Sequence, residues 1–422
     1  MKIKDIHARE ILDSRGNPTI ETMVVLENGT TATSSVPSGA SVGKYEALEL
    51  RDNDLRRYNG MGVLKAVSNV NEIIKSKILG MEVRSQLEID KTLITLDGTE
   101  NKSKLGANAI LSVSQAVCKA AALEENVPLF VHVGHLYGLK PQEMRIPIPI
   151  FNLINGGKHG AGNLDFQEFH IIPSGKKFYS ESLRIGEEIY QAVKRVLIRH
   201  GAIHSVGDEG GFAPNLFTNL DALEVLVTAI KEAGYIFKQD VFLGLDVAAG
   251  YFYKEGKYKI KDKTSSCSPE ELIDFYRELL AQYPLLSLED PFVEDDWESW
   301  QKITSNFSQT MIVGDDLLAT NKKRVKEAIK KRACSAILVK PNQIGTIAET
   351  IEVIKIARQG GWKIIVSHRS GETNDDFIAD FAIGVGAEYV KFGAPARGER
   401  VAKYNRLLKI EEELAKTKIS ND

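Results

Sequence analysis

Apolar and polar residues alternate over residues 3–12, 19–27 and 30–36, which predicts three strands, and the Asn28-Gly29 pair between the last two signals a tight hairpin. The chain should therefore open on an antiparallel meander. Apolar residues then recur at helical spacing over 63–79, 86–96 and 107–123, the last rich in alanine and suited to close packing. Pro141, Pro147 and Pro149 punctuate a connection, after which strand-like and helix-like runs alternate to the end. That rhythm predicts a parallel sheet.

The strand-like runs lead into Glu168, Asp246, Glu289, Asp315, Lys340, His368 and Lys391, and from Glu289 onward consecutive members lie 23 to 28 residues apart. One strand-helix unit has about that length. In a (β/α)8 barrel the C-terminal strand ends converge on one mouth, so these side chains would share a cavity, whereas an open sheet would spread them along an edge. Taken singly, each is only the first solvated position after a strand; the succession is what argues for a site. No sequence repeat accompanies the rhythm, which excludes a solenoid. The expected architecture is α/β: a small N-terminal α+β lid domain, residues 1–136, on a barrel, residues 137–422, that carries the chemistry.

Composition narrows the function. At 422 residues the chain exceeds one ordinary core. A net charge of −3 offers no basic face for nucleic acid and no polybasic membrane patch, so a small-molecule partner is expected. Cys118, Cys267 and Cys334 are far apart and odd in number, which suggests neither a disulfide frame nor a zinc knuckle and fits a reducing cytoplasm. The first residues do not read as a signal peptide, and no apolar run reaches the roughly 18 residues of a membrane span.

Among the candidate chemical groups, Lys340 ends a buried-strand pattern, and burial should lower its pKa and fit it to accept a proton. Asp246, Glu289 and Asp315 end consecutive predicted strands, and three clustered carboxylates repel unless a hard cation, Mg²⁺ or Mn²⁺, is shared among them. In Gly207-Asp208-Glu209-Gly210-Gly211 the glycines leave Glu209 accessible as an acid, with Glu168 a second carboxylate beside it. Ser367-His368-Arg369-Ser370-Gly371-Glu372-Thr373 offers a guanidinium, a hydroxyl and helix N-terminal amides, a seat for phosphate. His159 lies in a glycine-rich loop able to close on a substrate. His132 and His135 read as surface residues. The Pro37–Lys44 loop is one residue short of a P-loop and has Tyr45 in place of Ser/Thr, so a mobile lid fits it better than a nucleotide loop.

Along essentially its whole length the sequence resembles the enolase (phosphopyruvate hydratase) family, through Asp13-Ser14-Arg15-Gly16-Asn17-Pro18-Thr19, residues 36–41, 207–214, 289–297, 340–346, 367–373 and 393–397. The resemblance implies a barrel with irregular first units and the reversible Mg²⁺-dependent dehydration of 2-phospho-D-glycerate to phosphoenolpyruvate, a carbon-oxygen lyase reaction of glycolysis and gluconeogenesis. It implies Lys340 as the base at C2, and Glu209, helped by Glu168, as the acid at the C3 hydroxyl. It further implies Asp246, Glu289 and Asp315 on a first Mg²⁺ and Ser41 on a second. Lys391 would meet the substrate carboxylate, Arg369 and Ser370 its phosphate, His159 would close on the phosphate end, and His368 would line the site. A Lys or His base with one or two Mg²⁺ is the established pattern of that superfamily rather than a deduction from spacing. A homodimer or larger homo-oligomer is implied too, with Arg15 a candidate interface residue.

Five departures from the family pattern stand out: Val42, Gly250-Tyr251, Asn374, Phe392 and Gly398. Val42 and Phe392 adjoin implied site residues, which raises an alternative, a paralogue acting on a phosphonate or another phosphoglycerate analogue. A second alternative is a non-catalytic binding or surface role.

Overall fold

A computed structural model describes residues 1–40, 43–160, 162 and 164–419. Strands β1 (Ile3–Leu12), β2 (Pro18–Leu26) and β3 (Thr31–Ser35) form the expected antiparallel sheet in that order. Ile20, Thr22, Val24 and Leu26, alternate residues of β2, are buried and turn toward helix Ala107–Glu125. That helix is buried on nearly every face, as its alanines require. The expected helix over 63–79 is interrupted: Leu64–Ser68 and Lys75–Ile78 flank a π-helical turn, Asn69–Ile74. Within this turn Asn71 accepts from the Ala8 amide at 2.7 Å and donates to the Ala8 carbonyl at 3.1 Å, satisfying the edge of β1. A helix the periodicity did not reveal, Leu129–Tyr137, runs one residue past the expected division at 136. It buries His132 against Glu125 at 2.8 Å, which corrects the reading of that histidine as a surface residue.

The remaining chain closes an eight-stranded barrel of β4 (Ile148–Asn155), β5 (Glu168–Pro173), β6 (Val241–Asp246), β9 (Leu285–Glu289), β10 (Met311–Gly314), β11 (Ala336–Val339), β12 (Lys363–Ser367) and β13 (Tyr389–Lys391), returning to β4. A short hairpin, β7 (Tyr253–Lys254) and β8 (Lys257–Tyr258), lies between β6 and β9 in sequence. Side chains of Ile150, Ile172, Val313, Ala336, Leu338 and Ile365 pack together as one small cluster, while the main core lies between strands and helices. Helices after the barrel strands begin at side-chain caps: Thr218, Ser268, Asp296, Asn321 and Thr346 each accept from an amide of the first turn.

The expected parallel sheet is corrected at one strand. Among the described residues only a three-residue 3-10 turn, Gly157–His159, lies between β4 and β5, and β5 runs antiparallel to both neighbours. Glu168 therefore opens its strand instead of ending one. Reversal still delivers it to the mouth, because the first residue of an antiparallel strand lies level with the last residues of its neighbours: Glu168 is in register with Asp246, and Asp246 with Glu289.

Candidate active site

A cleft of about 510 Å³ opens at that mouth. Asp246, Glu289 and Lys391 are the last residues of their strands, and Asp315, Lys340 and His368 each follow one by a single residue. The Lys391 ammonium sits among three carboxylates, 2.9 Å from Glu168, 3.2 Å from Asp246 and 2.9 Å from both oxygens of Glu289. Lys340 Nζ pairs with Asp315 Oδ2, whose other oxygen accepts from Gln343 Nε2 at 3.3 Å. Glu209 accepts from Asn152 Nδ2 at 3.1 Å and Ser370 Oγ at 3.0 Å, and lies 3.6 Å from His159. His159 Nδ1 is 3.0 Å from Glu168, whose second oxygen is 2.8 Å from His170.

Two glycines explain how Glu209 reaches this position. Gly210 has φ +87°, and Gly393 has φ +86° where a Cβ would come within 2.7 Å of the Glu209 carbonyl and 2.8 Å of His368. Only a residue without a side chain lets these segments approach so closely.

Burial raises the carboxyls of Asp246 and Glu289, and mutual repulsion adds to it for Glu289; Asp316 is pushed up to about 7 by burial and by Asp315. Burial works against Glu168 and Glu209 as well, but Lys391 and the facing histidines overcome it and hold both low. Repulsion from Glu168 does raise Glu209, but His159 and His368 outweigh it. Burial disfavours the His159 imidazolium, yet Glu209 and Glu168 prevail and lift it to about 9. His368 is lowered by burial, and Arg400 donates to its Nδ1 at 2.7 Å.

Lys340 departs from expectation. Burial does disfavour its charge, but Asp315 outweighs burial and raises it. The sequence reading counted the desolvation and not the acid held against the amine.

The donor set fits a hard cation. Oxygens of Asp246, Glu289 and Asp315 are buried and mutually repelling, and Asp246 Oδ1 has no hydrogen-bond partner. Among the described residues the tightest acid groupings are His159 with Glu168 and Glu209, and Asp290 with Asp315 and Asp316. Asp290 accepts from the amides of Asp315 at 3.0 Å and Asp316 at 2.6 Å, which fixes the turn presenting Asp315.

The N-terminal family model described as "Enolase, N-terminal domain" matches residues 3–133, and that described as "Enolase, C-terminal TIM barrel domain" matches residues 143–421. The chain belongs to the enolase family. An enolase-family chain is of a lyase-type enzyme class, and its acidic clusters are compatible with a divalent cation.

Of the residues picked from sequence, Glu168, Glu209, Asp246, Asp315, Lys340, Lys391, His159, His368, Arg369 and Ser370 line the enolase-family cleft, and Glu289 joins it through Lys391. Ser41 and Val42 lie outside the described residues. Phe392 is fully buried with its ring 5.9 Å from Tyr404, turned from the cleft by strand alternation. Arg15 is turned inward, donating to the Gly39 carbonyl at 2.9 Å. Lys44, the lysine of the P-loop look-alike, pairs with Asp295 at 2.7 Å. Sequence reading missed Glu46, Asn152, His170, Gln343 and Arg400. His170 and Gln343 left signals, His170 sharing a strand face with Glu168 two residues earlier and Gln343 lying three residues after Lys340; Glu46, Asn152 and Arg400 arrive from distant segments. Tyr251, noted only as a departure, lines the cleft with Lys158 Nζ 4.1 Å from its ring centroid.

Proposed function

We propose that this protein is a phosphopyruvate hydratase, interconverting 2-phospho-D-glycerate and phosphoenolpyruvate with two Mg²⁺ per site, in the cytoplasm and as a homodimer or larger homo-oligomer. The observation that carries the reading is one cleft that gathers Lys340, Lys391, Glu209 and Glu168 with Asp246 and Asp315. Lys340 takes the proton from C2, and Glu209, in the same cleft, protonates the departing C3 hydroxyl. A base and an acid carried on separate segments of one cleft suit an elimination in which proton and hydroxyl leave from different carbons. Lys391 binds the substrate carboxylate and favours the enolate more than the ground state. Arg369 and Ser370 receive phosphate, His159 closes on that end, His368 lines the wall, and Asp246, Glu289 and Asp315 hold the first Mg²⁺, with Ser41 on the second. The bound cations supply positive charge to the carboxylate as its second negative charge develops.

Protonation states follow from this assignment. Neutralising Asp315 removes the largest interaction that raises Lys340 and leaves burial, Arg369 and Lys391, which lower it, set against the weaker pull of Glu289. An anionic substrate beside Glu209 raises that carboxyl, the direction an acid requires.

The test is the absorbance rise of phosphoenolpyruvate on mixing protein, 2-phosphoglycerate and Mg²⁺. EDTA should abolish it, and Lys340→Ala should lower kcat by about 10²–10⁴-fold, the usual contribution of a positioned general base. A metal-dependent rise that persists undiminished in Lys340→Ala sinks the assignment of the base. Among the described residues Tyr251 is the one departure seen in the cleft, and it favours testing phosphonate analogues beside the standard substrate.

A further inference from the structure

The mechanism leaves one buried ion pair unused. Glu46, in the segment leading out of the lid loop, reaches across to Arg369: NH1 lies 2.9 Å from Oε2 and NH2 3.3 Å from Oε1. Both side chains are buried, at 8% and 7% exposure. The carboxylate also accepts from the Gly43 amide at 3.1 Å and from Gln343 Nε2 at 3.4 Å, while the neutral Asn342 Oδ1 takes another NH1 hydrogen bond at 3.1 Å. Two oxygens against two guanidinium nitrogens is the geometry in which arginine would take two phosphate oxygens.

We propose that Glu46 is an internal counter-anion occupying the anion seat of Arg369, so that it sets the selectivity of the site for phosphate dianions over singly charged anions. The proposal rests on reading Arg369 as the phosphate seat. A monoanion replacing Glu46 substitutes one unit charge for another and leaves a buried carboxylate unpaired, so exchange gains nothing. A dianion interacts with the guanidinium more strongly and offsets that loss.

The test titrates inorganic phosphate into the full chain with EDTA present, at about pH 8 where phosphate is a dianion, read by phosphorus NMR line broadening, with nitrate as competitor. Wild type, Glu46→Gln and Glu46→Asp are compared, each alone and combined with Arg369→Met. Glu46→Gln should bind phosphate at least about tenfold more tightly, since like-charge repulsion is removed. Nitrate should displace phosphate from Glu46→Gln and not from wild type, and Arg369→Met should remove binding in every background. Glu46→Asp, with its shorter reach, should fall between, and it carries the test if Glu46→Gln does not fold. Equal or weaker phosphate affinity in the Glu46 variants overturns the proposal, as does an absence of phosphate binding in all of them. Turnover of 2-phosphoglycerate is measured separately: its absence, with the titration behaving as expected, overturns the hydratase reading and leaves the counter-anion standing.

Discussion

At the scale of single residues, the cleft separates what a side chain is from what its neighbours make it. Lys340 and Lys391 are both buried amines, and burial alone would lower both, yet each is raised because carboxylates sit within a hydrogen bond of it. Charge partners at about 3 Å outweigh desolvation here. Tyr251 illustrates a different residue-scale effect, since its ring underlies Lys158 and so braces the loop that carries His159. Tyr251→Ala should lower kcat/KM with 2-phosphoglycerate about two- to fivefold, the equivalent of the ~0.5–1 kcal/mol of an exposed cation-π contact, whereas Tyr251→Phe keeps the ring and should match wild type. Steady-state kinetics on the three proteins check this, and equal losses in both variants would assign the effect to the hydroxyl instead.

At the scale of elements, the domains are joined by polar groups buried where helices meet. Asp90, in helix Gln86–Asp97, accepts from the Ala348 amide at 2.9 Å at the start of helix Ile347–Gln359, the helix that follows Lys340. Burial lifts its carboxyl to about 6. The folded state thus holds this proton more tightly than the unfolded chain, so the residue's contribution to stability is greatest below about pH 4 and is lost as pH rises through about 6. Asn at this position retains an acceptor for Ala348 and does not titrate. Between about pH 4 and pH 8 the stability of Asp90→Asn relative to wild type should shift in the variant's favour by up to roughly 3 kcal/mol, read as a widening difference in thermal midpoint. A difference independent of pH would sink the argument. The interrupted helix at 69–74 and the reversed strand β5 belong to this scale too: neither alters the apolar pattern of its segment, so neither was legible there.

At the scale of the whole molecule, eight strand ends concentrate negative charge that the lysines only partly offset. Asp246 and Glu289 remain raised beside Lys391, a sign that the clustered carboxylates repel one another. Binding a cation to the folded state alone stabilises it by mass action, so Mg²⁺ at about 100 times Kd should add about 2.7 kcal/mol, seen as a rise in thermal midpoint that EDTA reverses. Asp246→Asn should lose most of that rise. An unchanged midpoint with Mg²⁺ in wild type would remove these carboxylates as a cation site.

The apolar pattern and the spacing of polar strand ends determined the two-part architecture, the meander, the barrel and six of the residues seen lining the cleft, with four more from short polar and glycine-marked motifs, because alternation, unit length and motif are local properties. Tertiary structure alone decided the direction of β5, the arrival of Glu46, Asn152 and Arg400, the outward turn of Phe392 and the protonation of Lys340. Those outcomes depend on which groups from distant segments come within a few ångströms, and electrostatic energies change sign with such neighbours while hydrophobic periodicity does not.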